Sequence, residues 1–243
     1  MTKADPVVTS PDLLSSAAVV ADESFSATPI RGLIFDFDGL IVDTETAIYQ
    51  AWKELYDEHQ LPLTIEVWAQ CIGSDFGHYD PAADLERLTG LTFDWTSLTQ
   101  RRRERVNSLL SSQDTLPGIR ELLQHAQAVG MPCAVASSSS LNWVGGWINR
   151  LGLMPYFKNI TTLDDVGRAK PDPGLFLHAA EKLELQPSEI LVLEDSLNGL
   201  RAATAAGMRC MVVPGMLTRH LDFTGAWRQI ESLAEFDLCN LGR

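Results

Sequence analysis

Apolar and polar positions alternate along this chain in blocks that read, in turn, as buried strands and amphipathic helices. Apolar runs predict strands at Gly32–Asp36, Met131–Ala136, Ile190–Glu194 and Arg209–Val213, with a shorter one at Ile160–Thr162. Their near-continuous hydrophobicity suits strands covered on both faces, as in a parallel sheet. Helical spacing marks Gly118–Val129, where Ile119, Leu122, Leu123 and Ala126 share a face and Gly130 supplies a stop. Leu141–Leu151, Pro173–Leu183 and Ser196–Ala206 continue the series. Pro173 is tolerated in a first helical turn, and Gly207 ends the last helix. Strand and helix in regular alternation predict an α/β fold around a parallel sheet.

Residues 45–112 break the alternation. They hold no long buried-strand run and instead predict helices at Thr46–His59, Ile65–Cys71, Pro81–Thr89 and Trp95–Leu110. Ile48, Ala51, Trp52 and Leu55 form an apolar stripe on the first, the mark of core packing. This block reads as a small helical domain inserted after the first strand, leaving 29–44 and 113–243 as the main domain. Residues 1–28 read as a disordered or extended tail. Leu13–Ala21 loosely resembles a signal core, but Asp5 and Asp12 precede it with only Lys3 as a basic residue, the wrong flank for that role.

With 243 residues, 45% of them hydrophobic and 21% charged, the chain can bury a large core in one domain or one and a half. A formal charge of −13 argues against nucleic acid as a partner, because phosphate-backbone binding needs clustered Lys and Arg. The one basic cluster, Arg101–Arg103 with Arg105, reads as a solvated helix face. No run reaches the roughly 18–20 apolar residues of a membrane span. Cys71, Cys133, Cys210 and Cys239 are far apart and form no CxxC pair, so reduced thiols in a cytoplasmic protein are expected. A monomer is expected.

The first strand ends in Asp36-Phe37-Asp38-Gly39. If the backbone stays extended, Asp36 and Asp38 share a face roughly 6–7 Å apart. At the carboxyl end of a strand in an open α/β sheet, where ligands bind, such a pair suits a hard divalent cation or a carboxylate nucleophile. The same residues also serve as plain turn formers. Three later segments share this layout. Met131–Ala136 runs into Ser137-Ser138-Ser139-Ser140, where hydroxyl and amide groups before a helix can hold a phosphate or simply cap the helix. Pro171 and Pro173 stiffen the loop that carries Lys170, so its cation can be aimed. Glu194-Asp195-Ser196 closes a buried strand with two adjacent acids, which need a cation or a helix N-terminus to accept them.

Taken in order, Asp36-Phe37-Asp38-Gly39-Leu40-Ile41-Val42-Asp43-Thr44-Glu45, Ser137, Lys170 and Glu194-Asp195-Ser196-Leu197-Asn198-Gly199 resemble the four motifs of the haloacid dehalogenase-like hydrolase superfamily. The position and helical character of the insert resemble the subfamily containing β-phosphoglucomutase and phosphoglycolate phosphatase. The resemblance implies a Rossmann-like three-layer core with an inserted α-helical cap. It implies Asp36 as the nucleophile that forms an aspartyl-phosphate and Asp38 as general acid and base. Mg²⁺ would be held by Asp36, the Asp38 carbonyl and Asp195, with Glu194 binding directly or through water. Ser137 and the Ser138 amide would hold a phosphoryl oxygen, and Lys170 would counter charge. The implied activity is hydrolysis of a small phosphorylated metabolite. Asp38 speaks against a dehalogenase. A sugar-phosphate mutase is the alternative, but Ile48 and Gly73-Ser74-Asp75-Phe76 stand where that enzyme carries His and a Gly-x-Ser-Arg element. A non-catalytic binding protein on the same fold is a third reading. Gly73, Asp75 and His78 are the candidates for leaving-group contacts in the cap.

Overall fold

The computed structural model describes residues 28–72 and 79–241. Strands β1 (Gly32–Phe35), β2 (Cys133–Ala136), β3 (Phe157–Thr161), β4 (Ile190–Glu194), β5 (Arg209–Val212) and β6 (Arg228–Gln229) form one parallel sheet in the order β3-β2-β1-β4-β5-β6. The helices among the described residues are α1 (Thr44–Glu58), α2 (Ile65–Trp68), α3 (Pro81–Thr89), α4 (Trp95–Leu109), α5 (Ile119–Ala128), α6 (Leu141–Arg150), α7 (Leu163–Val166), α8 (Gly174–Leu183) and α9 (Leu197–Ala205).

The run of apolar residues in each central strand is explained by two covered faces. Successive strand residues point to opposite sides. Leu33, Phe35, Val135, Leu191 and Leu193 join Ile119, Leu122 and Leu123 of α5 and Val144 and Ile148 of α6. Ile34, Ala134, Val192 and Val212 join Leu175, Phe176 and Ala179 of α8 and Leu200 and Ala203 of α9. The result is the expected three-layer α/β core, with each fully buried large aliphatic side chain stabilising it by roughly 1.5–3 kcal/mol. Tyr49, Trp52, Leu55, Tyr56, Leu63, Trp68 and Leu85 pack into a separate cluster among α1, α2 and α3, joined by Leu217 from beyond β5. Helix α1 serves both, since Ala47 and Ala51 pack into the main core.

Several boundaries differ from the sequence-based expectation. Strand β3 begins at Phe157 rather than Ile160, because it lies at the sheet edge and carries an exposed Lys158 where a buried strand would be apolar. The two-residue β6 is exposed and pairs with β5 through backbone alone, so no hydrophobic run marks it. Strand β1 stops at Phe35, one residue before Asp36. No helix among the described residues is long and apolar enough to cross a membrane.

Candidate active site

The sheet order changes direction between β1 and β4, and the carboxyl ends of β2, β1 and β4 lie side by side there. The crevice outside such a switch point is where open α/β sheets bind ligands. Asp36 leaves β1 with its N–H donated to the Leu193 carbonyl at 2.9 Å. The chain then turns at Gly39, whose φ of +83° is open to glycine and strained for other residues. A Cβ at Gly39 would also stand 2.2 Å from an Asp195 oxygen, so the turn packs directly on that carboxylate. The loop closes through Gly39 N–H to the Val42 carbonyl at 2.8 Å and passes into α1, capped by Asp43.

Strand β1 ends at Phe35, and Asp36 and Asp38 beyond it have separate sets of hydrogen-bond partners. Asp36, 5% exposed, is bonded to the Lys170 ammonium. The same ammonium lies 2.6 Å from Glu194 Oε1, and Lys170 is itself 1% exposed. Glu194 Oε2 accepts from the Asp195 N–H, the Ser196 N–H and the Ser196 hydroxyl, each at 2.9 Å. Gly199 makes room for this carboxylate, since a Cβ there would fall 1.8 Å from Glu194 Cδ. One buried cation thus ties the end of β1 to the end of β4.

Electrostatics follow from burial. Removal from water pushes the Asp36 carboxyl up to about 8; Lys170 pulls it back, while Glu194 and Asp38 add to the rise. Burial and the Glu194 and Asp36 charges likewise hold Asp195 well above the carboxylate range. Burial alone would depress Lys170, but the Asp36 and Glu194 charges more than offset this and hold it above its ordinary value. Partly buried Glu45, at the start of α1, is also raised, by burial and then by Asp38 and Asp36. Burial and mutual repulsion thus make the acids around the Lys170 ammonium resist ionisation.

The donor chemistry fits a hard divalent cation. Asp36, Glu194 and Asp195 are all buried and offer carboxylate oxygens within 4.8 Å of one another. Asp195 Oδ1 is buried without a hydrogen-bond partner, an acceptor that a cation would satisfy.

Asp38 is held from the other side. Its Oδ1 accepts from Thr44 Oγ1 at 2.6 Å and from Trp143 Nε1 at 2.8 Å. Its Oδ2 accepts from Ser139 Oγ at 2.6 Å and from Ser137 Oγ at 3.3 Å. Ser137 stands at the end of β2 with its N–H on the Thr161 carbonyl, and its hydroxyl accepts the Ser139 N–H at 3.0 Å. Ser138 Oγ accepts the Lys170 N–H at 3.1 Å, which joins the serine loop to the lysine loop. The fold thus gathers Asp36, Asp38, Ser137, Ser138, Lys170, Glu194 and Asp195 at one place. Gly73, Asp75 and His78 lie outside the described residues. The hold of Thr44, Ser139 and Trp143 on Asp38 was not anticipated from the sequence. Thr44 lies in the acidic motif after β1 and Ser139 in the serine loop, whereas Trp143 reaches Asp38 only through the fold, from 105 positions away.

A family model for haloacid dehalogenase-like hydrolases matches residues 33–213, which span all of these groups. The chain belongs to the haloacid dehalogenase-like hydrolases. Among them it is similar to YhcW of Bacillus subtilis (strain 168), described provisionally as a phosphatase: 42% identical over 212 residues, 87% of this chain and 96% of that protein. It is 34% identical to the fructose-1-phosphate phosphatase YqaB of Escherichia coli (strain K12) over 179 residues, 73% of this chain and 93% of that one. A crystal structure of CbbY from Rhodobacter sphaeroides in complex with xylulose-(1,5)bisphosphate superposes with a TM-score of 0.69 at 29% identity, covering 88% of this chain and all of CbbY (100%). This hydrolase departs from the solvated-face expectation on α4. Arg101 and Arg105 do face outward, each 2.8 Å from a glutamate, Glu58 and Glu54. Arg102 instead lies over the Trp52 ring, 3.7 Å from its centre, and burial followed by the Arg103 charge pushes it down to about 10.

Proposed function

We propose that this chain is a magnesium-dependent phosphatase of small phosphorylated metabolites, sugar phosphates among them, working through an aspartyl-phosphate. The observation that carries the reading is the buried ammonium of Lys170 shared by Asp36 and Glu194 beside an Asp195 oxygen without a partner. Asp36 is the nucleophile: its carboxylate attacks phosphorus, and the alkoxide leaves. Asp38 donates a proton to that alkoxide and later takes one from the water that hydrolyses the acyl phosphate. The converging donors on Asp38 fix the orientation of its carboxylate. Ser137 Oγ and the Ser138 amide hold phosphoryl oxygens, and Lys170 offsets the charge of nucleophile and phosphate in a site largely closed to water. Asp36, Asp195, the Asp38 carbonyl and Glu194, directly or through water, would hold Mg²⁺. When bound, that ion neutralises phosphoryl charge and relieves repulsion between two anions.

Residues 45–112 act as the cap over this site, with the core in 29–44 and 113–243. The tether of Asn198 Nδ2 to the Ile72 carbonyl at 2.8 Å, which joins α9 to the segment after α2, supports a cap seated on the site. The names of YqaB and CbbY's ligand support a phosphorylated sugar as substrate class. The wide spacing of the four cysteines along the chain supports a reducing cytoplasmic location, and we take the active form to be a monomer. The test is phosphate release from p-nitrophenyl phosphate with Mg²⁺. Wild-type protein is expected to be active and Asp36→Asn inactive; near-native turnover by Asp36→Asn would overturn the assignment.

A further inference from the structure

A cleft of about 730 Å³ opens between α1, α4 and α6, lined by Trp52, Arg102, Arg103, Trp143, Trp147 and Arg150 among others. Ser139 also lines it, and Ser139 and Trp143 are two of the residues that hold Asp38. The cleft therefore leads away from the acid/base residue, where the leaving group of a phosphomonoester must lie.

Its lining is basic in a chain whose formal charge is −13. Arg101 and Arg105 of the same helix pair with glutamates; among the described residues no ion pair engages Arg102, Arg103 or Arg150. Two of these guanidiniums are stacked on indoles. Arg102 lies 3.7 Å from the Trp52 ring centre and Arg150 lies 4.6 Å from that of Trp147. Stacking occupies the face of a guanidinium and leaves its in-plane N–H groups for an anion. Arg102 Nη2 reaches Thr99 Oγ1 only at 3.4 Å, and its Nε is buried without a partner. Arg150 Nη2 donates to the Ser111 carbonyl, which holds its plane while other N–H groups stay available. A neutral sugar tail would leave this set of cations uncompensated.

We propose that this cleft is the leaving-group subsite and that it selects substrates carrying a second anionic group, phosphate or carboxylate, away from the phosphoryl group that is transferred. The inference rests on the phosphatase reading and narrows its substrate class. Arg102 and Arg103 are its specificity residues.

The experiment compares kcat/KM within matched pairs: fructose 1-phosphate against fructose 1,6-bisphosphate, and glycerol 3-phosphate against 3-phosphoglycerate. Wild type is expected to prefer the doubly anionic member of at least one pair by about tenfold or more, as charge-assisted hydrogen bonds allow. Which pair shows it distinguishes phosphate from carboxylate. In Arg103→Gln, at an exposed position that spares the fold, and in Arg102→Gln, the preference is expected to shrink at least about fivefold, chiefly through KM. Arg101→Gln, on the outer face, is expected to keep it. Turnover of p-nitrophenyl phosphate without any preference in either pair, or a preference that survives both variants, overturns the inference alone. Failure to turn over p-nitrophenyl phosphate at all overturns the phosphatase reading beneath it.

Discussion

Replacing Lys170 by Met removes the cation that two buried carboxylates share while keeping most of the side-chain volume. The wild-type ammonium is bonded to Asp36 and lies 2.6 Å from Glu194, and the residue is 1% exposed. Breaking a buried ion pair by deleting one partner costs roughly 3–5 kcal/mol, because the surviving charge stays out of water. Here two acids lose their partner, so the upper part of that range applies. For a chain of this size, each kcal/mol moves Tm by about 2–4 °C, which gives a drop of roughly 8–20 °C. The measurement is thermal unfolding followed by circular dichroism, in chelator, at about pH 8. The sign with pH follows from burial. An acid whose folded pKa is raised, as Asp36 is to about 8, contributes stability that is present below its unfolded value and lost as pH rises through the folded one. Asp36 holds its proton up to about pH 8 with Lys170 present and higher without it, so the Lys170→Met deficit should stay level below about pH 7.5 and widen as pH rises past about 8, where only the wild-type carboxyl ionises against its cation. A drop below about 3 °C, or a deficit that grows as pH falls, would refute the reasoning.

Two further outcomes are expected. Trp143→Phe deletes the indole donor that meets Asp38 Oδ1 at 2.8 Å and leaves a smaller aromatic ring in its place. A hydrogen bond to a charged group is worth about 1.5–3 kcal/mol, so kcat should fall roughly ten- to hundredfold, and an unchanged kcat would remove Trp143 from the positioning of Asp38. Mg²⁺ should raise Tm more at about pH 8 than at about pH 6, because below the raised pKa of Asp36 the ion must displace a proton to bind. A larger shift at the lower pH would contradict the assignment of Asp36 as a ligand.

Much of this fold was written in local pattern, and the reasons are specific. Strand β4 and helix α3 have the expected bounds because each is set off by chemistry the chain carries locally: a run of apolar residues closed by Glu194, and Pro81 at the first turn with Gly90 beyond the last. Strand β6 and the true length of β3 were not legible, because edge pairing uses backbone groups and leaves polar side chains in place. At the site, the acids, the serine loop and Lys170 announce themselves as polar residues at the ends of apolar runs. The separate hydrogen-bond partners of Asp36 and Asp38 do not, since the fold brings Lys170 to one and Trp143 to the other. Nor does the cleft basicity. The periodicity of α4 cannot distinguish Arg101, paired with Glu58, from Arg102, which meets Trp52 only once α1 lies alongside.

The assignment of Asp36 as nucleophile is open to direct capture. Enzyme mixed with a phosphomonoester and Mg²⁺, quenched in acid within a turnover and digested, should yield a phosphoryl group on the peptide containing Asp36. Borohydride reduction should then convert that residue alone to homoserine. A phosphoryl adduct on another residue, or rapid turnover with no trapped adduct in wild type or in a variant slowed at Asp38, would contradict attack by Asp36.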